Sequence, residues 1–348
     1  MSLATKYRPQ TWADVVEQSA TKVILQNQLD NGEIKNAYLF CGGAGTGKTT
    51  CARIFANEIN KGVGTPIELD AASNNSVDDV RKLIEQAQSA SIDSEYKVFI
   101  LDEVHALSNS AWQAMLKILE EPPKKSIFIM ATTDPQKIPN TILSRVQRFD
   151  FKRISQSGIK NRLIYILSEE FPSTIGKNDI GIPVEPEAIE YIARLADGGM
   201  RDAITMLDKC LAYSSELTMD SVSKALGTAT LTEMVRLYNS LFIGQIVEVV
   251  DTIEKIHSEG KDLKLFIRQF TDFILDINKY YMLGGLEHTK LPNIPLITEL
   301  SEESDEYFED SLDLLDELIK LGVAIKWDSQ PKSVIEAILI MFSRRNDK

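Results

Sequence analysis

The feature that most constrains the fold is a glycine-rich run between an apolar stretch and a helix-forming stretch. It reads Gly42-Gly43-Ala44-Gly45-Thr46-Gly47-Lys48-Thr49-Thr50, with four residues between Gly42 and Gly47. This is the spacing of phosphate-binding loops, whose backbone amides surround phosphate oxygens at a helix N-terminus. A strand is predicted over residues 38–41 and a helix over residues 50–59. This context predicts a nucleoside triphosphate site, and an accidental glycine-rich turn is the weaker alternative.

Four side chains in and beyond this loop have predicted roles. In such sites Lys48 would reach the β- and γ-phosphates, and the Thr49 hydroxyl would hold Mg²⁺. A mostly apolar run over residues 97–101 ends in Asp102 and Glu103. The carboxyl ends of parallel strands line a ligand crevice, so we expect Asp102 to hold the Mg²⁺ and Glu103 to deprotonate the attacking water. Paired acids at a strand end are otherwise a solvated turn, but the upstream loop favours the catalytic interpretation.

Short apolar runs alternate with helix-forming segments in the first part of the chain. Strands are predicted over residues 38–41, 66–70, 97–103, 126–133 and 148–151. Strands that alternate with helices indicate a doubly wound parallel sheet. From residue 154 the pattern is helical only, with shorter helices first and longer ones later. The sequence therefore predicts three domains: an α/β core over 1–153, a small helical unit over 154–228 and an all-α domain over 229–348.

The charge is unevenly distributed along the chain. The net charge is −13, but residues 1–153 carry as many acidic as basic side chains, so the whole excess lies beyond them. A neutral first part can still present basic or amide groups to nucleic-acid phosphates. The three cysteines have no metal-ligand spacing, which favours a reducing intracellular compartment. No apolar run approaches the roughly 20 residues of a membrane span, so no membrane partner is expected.

Seven runs of residues carry a family resemblance. They are the phosphate loop itself and the runs Lys6-Tyr7-Arg8-Pro9-Gln10-Thr11-Trp12-Ala13-Asp14-Val15-Val16, Leu69-Asp70-Ala71-Ala72-Ser73, Ile100-Leu101-Asp102-Glu103-Val104-His105, Leu116-Lys117-Ile118-Leu119-Glu120-Glu121-Pro122-Pro123, Ala131-Thr132-Thr133-Asp134-Pro135-Gln136-Lys137 and Leu143-Ser144-Arg145. Together they resemble the AAA+ clamp-loader ATPases, most closely the gamma/tau (DnaX) family of the bacterial DNA polymerase III clamp loader. The resemblance implies an AAA+ P-loop domain with a five-stranded parallel sheet, a helical lid and an all-α collar for oligomerisation.

The resemblance assigns roles to further polar residues. Thr133 corresponds to sensor 1, which would contact the γ-phosphate or the attacking water. Arg201 corresponds to sensor 2 in the lid. Arg145, which has no acidic residue near it in the sequence, corresponds to an arginine finger acting on a neighbouring subunit's nucleotide, where it adds positive charge at the transition state.

The resemblance also implies a base pocket, and the sequence suggests a DNA-contacting surface. The adenine would lie among Tyr7, Arg8, Pro9 and Val16. A polar turn and one basic residue are the candidates for sequence-independent contact with DNA, namely Ser73, Asn74, Asn75, Ser76 and Arg81. A simple helix cap beside a surface arginine is an equally good interpretation of that turn.

Two departures from the family matter. The family has four cysteines between the phosphate-loop helix and the second strand, where this chain has residues 60–65 without cysteine, so no zinc is expected. The chain also lacks the long C-terminal extension of tau. A naturally short form, a phage-encoded form and a shortened piece all remain open.

The resulting hypothesis is an ATP- and Mg²⁺-dependent subunit of a sliding-clamp loader in the bacterial cytoplasm. Several copies would form a pentameric ring or spiral with other loader subunits, and the assembly would bind the clamp and primer–template DNA. Two alternatives stay open at this point. One is another AAA+ DNA motor, such as a branch-migration helicase or an initiator, and the other is a non-hydrolysing scaffold subunit.

Overall fold

The computed structural model describes residues 1–89, 93–172, 180–285, 289 and 308–345. The chain divides into two compact units, Met1–Met219 and Asp220–Lys348. Parts of the all-α domain predicted over 229–348 lie outside the described residues. The domain boundaries predicted at 153 and 228 stay predictions.

The first unit is built on one parallel sheet. Its strands are β1 (Ala37–Cys41), β2 (Ile67–Asp70), β3 (Lys97–Asp102), β4 (Ser126–Thr132) and β5 (Gln147–Asp150). They lie in the order β2-β3-β4-β1-β5, and every paired neighbour is parallel. All residues of β1 and β4 are buried, as expected where a parallel sheet is covered on both faces. The predicted five-stranded parallel α/β sheet is confirmed.

Helices cover both faces of this sheet, and those beyond residue 154 form the small helical unit that corresponds to the lid. They are α1 (Leu3–Lys6), α2 (Ser19–Asn31), α3 (Lys48–Ile59), α4 (Val77–Gln88), α5 (Asn109–Glu120), α6 (Asn140–Leu143), α7 (Gln156–Glu170), α8 (Pro186–Leu195) and α9 (Met200–Tyr213). Successive side chains of a strand point to opposite faces. Leu39 accordingly packs into one core with Leu101 and Met130, while Phe40 packs into the other with Ile129.

The strand register brings three strand ends to one edge of the sheet. Cys41 at the end of β1 pairs with Thr132 at the end of β4. The Gly42 N–H then donates to the Thr132 carbonyl at 3.2 Å, which starts the phosphate loop at that edge. In β3, Leu101 pairs with Met130 of β4, so Asp102 ends its strand beside the loop. The fold therefore places the loop and the acidic pair together.

Every regular element described in the second unit is a helix. Its helices are α10 (Met219–Leu226), α11 (Leu231–Phe242), α12 (Ile246–Ser258), α13 (Leu263–Leu283), α14 (Phe308–Ala324) and α15 (Pro331–Arg345). Their buried faces form an apolar core that includes Phe242, Phe270, Leu318 and Phe342. No described helix in either unit has the length and apolar character to cross a bilayer.

Candidate nucleotide-binding site

The phosphate loop has the backbone that its glycines predict. Gly42, Gly45 and Gly47 have φ values of 155°, 69° and 100°, which residues other than glycine rarely adopt. A Cβ on Gly42 would lie 2.5 Å from the Phe151 carbonyl oxygen, so that position also lacks room for one. The Thr46 hydroxyl donates to the Gly43 carbonyl at 2.9 Å and closes the loop. Gly47 then caps the N-terminus of α3.

Lys48 is the buried cation of the loop. Its side chain crosses back over the loop, and Nζ donates to the Gly42 and Gly43 carbonyls, each at 2.8 Å. Burial lowers the pKa of Lys48 below its ordinary value, while the Glu103 and Asp102 carboxylates oppose that shift. Anionic phosphate oxygens are stronger partners for an ammonium than neutral carbonyls. The arrangement therefore suits an anionic ligand of this loop.

Thr49 and Asp102 form a hard-oxygen pair. The Thr49 hydroxyl donates to Asp102 Oδ2 at 2.7 Å, across 53 residues of sequence. The other oxygen, Oδ1, accepts the Glu103 N–H at 3.0 Å, which fixes the carboxylate plane. A hydroxyl and a carboxylate beside a phosphate site are the donors that Mg²⁺ takes. These residues fit the predicted magnesium ion.

Glu103 is held by the end of β4. The structure ends β3 at Asp102, so the prediction that the strand includes Glu103 is wrong. Glu103 instead has a left-handed backbone with φ 48° and caps the 3-10 turn Val104–Ala106. Its Oε2 accepts the Thr133 hydroxyl at 2.8 Å and the Thr133 N–H at 3.3 Å. The acid thus contacts the residue predicted as sensor 1.

A cavity of about 300 Å³ lies over these groups, within the first unit. Most of the predicted site residues line it, namely Tyr7, Arg8, Pro9, Val16, Ala44, Gly45, Thr46, Gly47, Lys48, Thr49, Thr50, Asp102, Glu103 and Arg201. Gly42, Gly43, Thr133 and Arg145 are not among the described residues that line it. Its volume lies at the lower end of the range of ligand pockets. The structure brings the predicted loop, acid, base-pocket and lid residues together, and their individual roles stay predictions.

The lid contacts the phosphate loop directly. The Met200 N–H, at the start of α9, donates to the Gly45 carbonyl at 3.0 Å. A Cβ on Gly45 would lie 2.9 Å from the Gly199 Cα, so this close approach requires glycine. Because Arg201 follows in the first turn of α9, this contact places it at the cavity.

The N-terminal segment closes the other side of the cavity. The Tyr7 hydroxyl donates to Glu170 at 2.5 Å, and Lys6 forms an ion pair with the same carboxylate at 2.6 Å. Burial and then this hydrogen bond raise the pKa of Tyr7. Arg162 of α7 donates to the Tyr7 carbonyl at 3.0 Å. Tyr7 of the predicted base pocket is therefore bonded to α7 at Arg162 and, in its last turn, at Glu170.

Some cavity residues were not predicted from the sequence. They are Ala4, Asp14, Val15, Ile154, Arg162, Met200, Asp202 and Ile204. Several lie beside predicted residues, so a window around each motif would have included them. Arg162 lies in a helix without a motif, and the sequence contains no signal for its place at the cavity. His105 lies outside this lining, with Nδ1 3.2 Å from Glu103 Oε2.

Arg145 has a partner that the sequence did not indicate. It forms an ion pair with Glu120, at 2.6 Å, and also donates to the Thr141 carbonyl at 2.6 Å. The partner is not a neighbour in the sequence, because α5 brings Glu120 to Arg145 across 25 residues. The guanidinium remains about one-third exposed. Arg145 thus lies partly at the surface of the first unit, and its role as a finger stays a prediction.

The side-chain bonds described in the predicted DNA-contacting turn are local. The Ser73 hydroxyl and the Asn74 amide donate to Asp70. Ser76 caps α4 in a reciprocal box with Asp79. These bonds pair the polar groups of a turn and of the N-terminus of α4.

The remaining candidates for DNA contact lie close by. The Asn75 carbonyl accepts the Ser108 N–H at 3.1 Å, and Arg81 pairs with Asp78 at 3.0 Å on the surface of α4. The DNA role of this region stays a prediction, as does the absence of zinc near residues 60–65.

Three family models match successive parts of the chain. Residues 65–155 match the DNA polymerase III delta subunit, and residues 158–216 match the ATPase lid domain of the DNA polymerase III clamp loader subunit. Residues 217–302 match domain III of DNA polymerase III subunits gamma and tau. Together the matched ranges span more than half of the chain, in the order core, lid and helical domain.

Solved structures support the fold alone. A single-site variant of Thermotoga maritima RuvB has a TM-score of 0.52 at 19% identity, covering 88% of this chain and 90% of that one. Another Thermotoga maritima RuvB, titled a Holliday junction branch migration motor, has a TM-score of 0.52 at 17% identity, covering 82% and 99%.

Curated relatives are more similar in sequence. The DNA polymerase III subunit tau of Bacillus subtilis is 36% identical over 357 residues, covering 96% of this chain and 62% of that protein. The subunit tau of Escherichia coli is 41% identical over 248 residues, covering 65% of this chain and 37% of that protein. The chain thus spans less than two thirds of the length of either relative. These matches and the three successive family models place the chain in the gamma/tau family of DNA polymerase III subunits.

Proposed function

We propose that this chain is an ATPase subunit of a DNA sliding-clamp loader. The observation that carries the proposal is one cavity where the phosphate loop, the acids Asp102 and Glu103, and Arg201 of the lid converge. A triphosphate in that cavity would contact both the core and the lid. Its binding and hydrolysis can therefore change how the two parts are held.

The residues divide the chemistry between them. Lys48 would exchange its two carbonyl contacts for the β- and γ-phosphates, and the Thr46 to Thr50 amides would bind phosphate oxygens at the start of α3. Thr49 and Asp102 would hold Mg²⁺, which when bound neutralises phosphate charge. Glu103 would orient and deprotonate the attacking water. Thr133 and Arg201 would sense the γ-phosphate.

The site is proposed to be completed by a second subunit. Arg145 is partly exposed and would leave Glu120 to reach the nucleotide of a neighbouring copy, where a finger arginine stabilises transition-state charge. We therefore propose a ring or spiral, pentameric with other loader subunits, in which ATP binding opens the clamp and favours primer–template DNA. Hydrolysis then releases the loaded clamp. The proposed domains are core 1–153, lid 154–228 and collar 229–348.

The two alternatives have weaker support. A branch-migration helicase or initiator is expected to carry a winged-helix reader, whereas the described residues of the second unit are helical. The likeness to RuvB concerns the fold alone at 17–19% identity. A non-hydrolysing scaffold has no use for Glu103 held at the end of β3 beside Thr133.

Complementation between two inactive variants tests the shared site. Lys48→Ala removes the phosphate ligand but keeps the finger, and Arg145→Ala does the reverse. Each variant alone, assembled with its partners, should lose about 100-fold or more of its ATP turnover, since a finger arginine is worth about 10³–10⁵ in kcat. Mixing the two should restore turnover, because mixed interfaces pair an intact loop with an intact finger. Phosphate release gives the rates.

Three outcomes would contradict this proposal. Parental turnover by Lys48→Ala assemblies would remove the loop from the chemistry. Parental turnover by Arg145→Ala would remove the finger. A mixture no more active than either variant, although native mass spectrometry shows mixed assemblies, would remove the shared site. Arg236→Ala is the matched control, since Arg236 is an exposed arginine paired with Glu248 in the second unit.

A further inference from the structure

His105 contacts the proposed catalytic acid but has no role in the proposed function. The 3-10 turn after Glu103 is closed by the Ala106 N–H, which donates to the Glu103 carbonyl at 2.9 Å. This turn brings the His105 ring back toward the ends of β3 and β4. Its Nδ1 lies 3.2 Å from Glu103 Oε2 and 3.2 Å from Thr132 Oγ1. The ring is half-buried, with 22% of its side chain exposed.

The neighbours of Nδ1 indicate that it carries a hydrogen. A carboxylate accepts hydrogen bonds and donates none. Without a hydrogen, the Nδ1 lone pair would lie close to the lone pairs of Glu103 Oε2, whereas a hydrogen on Nδ1 is attracted to the carboxylate. Thr132 Oγ1 already accepts the Asp134 N–H at 3.0 Å and can accept from the ring as well. The hydrogen bond of Nδ1 is with the Thr132 hydroxyl, and the carboxylate 3.2 Å away favours the tautomer in which Nδ1 carries the hydrogen and donates to Thr132.

Thr133 can serve only one acceptor at a time. Its hydroxyl has a single hydrogen, which it donates to Glu103 Oε2 at 2.8 Å. A bond from that hydroxyl to a terminal phosphate oxygen excludes the bond to Glu103. When a triphosphate takes the hydroxyl, two donors remain near Oε2, namely the Thr133 N–H and the His105 ring. The backbone N–H, at 3.3 Å, is the longer of these two contacts.

We propose that His105 is a positioning residue for Glu103. Its Nδ1–H turns from Thr132 Oγ1 to Oε2, 3.2 Å away, when the Thr133 hydroxyl moves from Glu103 to the terminal phosphate. The carboxylate then keeps its orientation and presents Oε1 to the attacking water. This inference rests on the proposed function, which assigns the water to Glu103. His105 itself touches neither water nor nucleotide, and it acts through the acid.

Steady-state kinetics of the full chain with its partners test the role. His105→Ala and His105→Leu should lower kcat by about 10- to 100-fold, since small displacements of a catalytic group have effects of this size. KM for ATP should change less than about twofold, because no ligand of the nucleotide is removed. His105→Asn places an amide near the Nδ1 position and should recover kcat to within about threefold of the parent. His257→Ala, on the exposed face of α12, is the matched control.

Two kinetic outcomes would overturn the proposal. An unchanged kcat in His105→Ala means that the ring does not position the acid. An equal loss in His105→Asn and His105→Leu means that the ring only fills space. The kcat of Glu103→Gln, measured in the same experiment, gives the rate without the base. The loss of kcat in each His105 variant can then be compared with that full loss.

Nitrogen NMR of the histidines gives a readout that does not depend on hydrolysis. The chain has three histidines, so His105→Asn identifies the His105 signals. We expect a protonated Nδ1 whose resonance shifts in Glu103→Gln and on adding ATPγS, but not on adding ADP. An unprotonated Nδ1 would overturn the inference even if the chain is an ATPase. A protonated Nδ1 that responds to Glu103→Gln, in a chain without turnover, would instead sustain the contact and refute the proposed function.

Discussion

Two polar regions of the first unit are built in different ways. At the nucleotide site, hydrogen bonds join residues far apart in sequence: Thr49 to Asp102 across 53 residues and Thr133 to Glu103 across 30. At the turn before α4, the Ser76 hydroxyl bonds to Asp79 three residues away. Short-range bonds of that kind are what any helix start requires. The turn also has a long-range bond, from the Ser108 N–H to the Asn75 carbonyl, but it joins backbone groups. Long-range bonds between polar side chains need a fold that places them, and they distinguish a constructed site from a cap.

The backbone shows the same difference. Glu103 has a left-handed conformation with φ 48°, whereas the cap Ser76 has an ordinary extended one with φ −78°. A left-handed non-glycine residue costs about 1–2 kcal/mol. Such a residue persists where the surroundings fix it, and these residues cluster at functional sites. Other described non-glycine residues, such as Lys61 and Lys125, share this backbone, so it is the left-handed turn together with the bonds to Thr133 that supports a chemical role for Glu103.

Among the substitutions that test the difference between these two regions, the largest effect on kcat is expected at Glu103. Glu103→Gln should lower kcat by about 10²–10⁴-fold, because removing a general base has effects of that size. KM for ATP should stay within about twofold, since the amide retains the shape of the side chain. Single-turnover hydrolysis with prebound ATP measures this change. Asp134→Asn, a nearby acid that pairs with Lys137, is the control and should leave kcat unchanged.

The contrary result for Glu103→Gln is a parental kcat. It would mean that the strained acid is structural, and the distinction between the constructed site and the cap would lose its chemical meaning. Equal loss in Asp134→Asn would point to the charge of the region rather than to Glu103.

A smaller effect, on DNA affinity, tests the region of the turn before α4. If Arg81 contacts a DNA phosphate, Arg81→Ala should weaken DNA binding by the assembled complex for all sequences alike. The slope of log affinity against log salt should then fall by about one unit. Fluorescence anisotropy with primer–template DNA over a salt series measures both quantities. Arg236→Ala is again the matched control, as an exposed and ion-paired arginine.

Unchanged affinity and slope in Arg81→Ala would remove this arginine from the DNA surface. The region would then be a helix cap with a surface ion pair, of the kind worth between zero and about 1 kcal/mol. A lost phosphate contact would instead show that short-range bonding does not exclude function.

The sequence predicted those parts of the fold and the site that depend on local pattern. Apolar runs gave all five strands, and the spacing of glycines gave the loop at Lys48. Residues whose neighbours come from elsewhere in the chain were harder. Glu120 reaches Arg145 through the packing of α5, and Arg162 reaches Tyr7 through the fold of the lid. No local pattern encodes either contact.

The residue at which a strand ends could not be predicted from a local pattern either. Glu103 continues an apolar run, and its left-handed turn follows from the bonds to Thr133 and the 3-10 turn beyond it. The place of His105 depends on that same turn. A family resemblance supplied roles for Thr133 and Arg201, which composition and spacing could not have given.

We propose that ATP hydrolysis in this cavity responds to the clamp and to DNA. The most direct measurement is phosphate release by the complex purified after co-expression with candidate loader subunits, with and without the sliding clamp and primer–template DNA. We expect a slow basal rate that rises when both are added and that is lost in Lys48→Ala. A rate that does not respond to either, in a complex that binds both, would contradict this proposal.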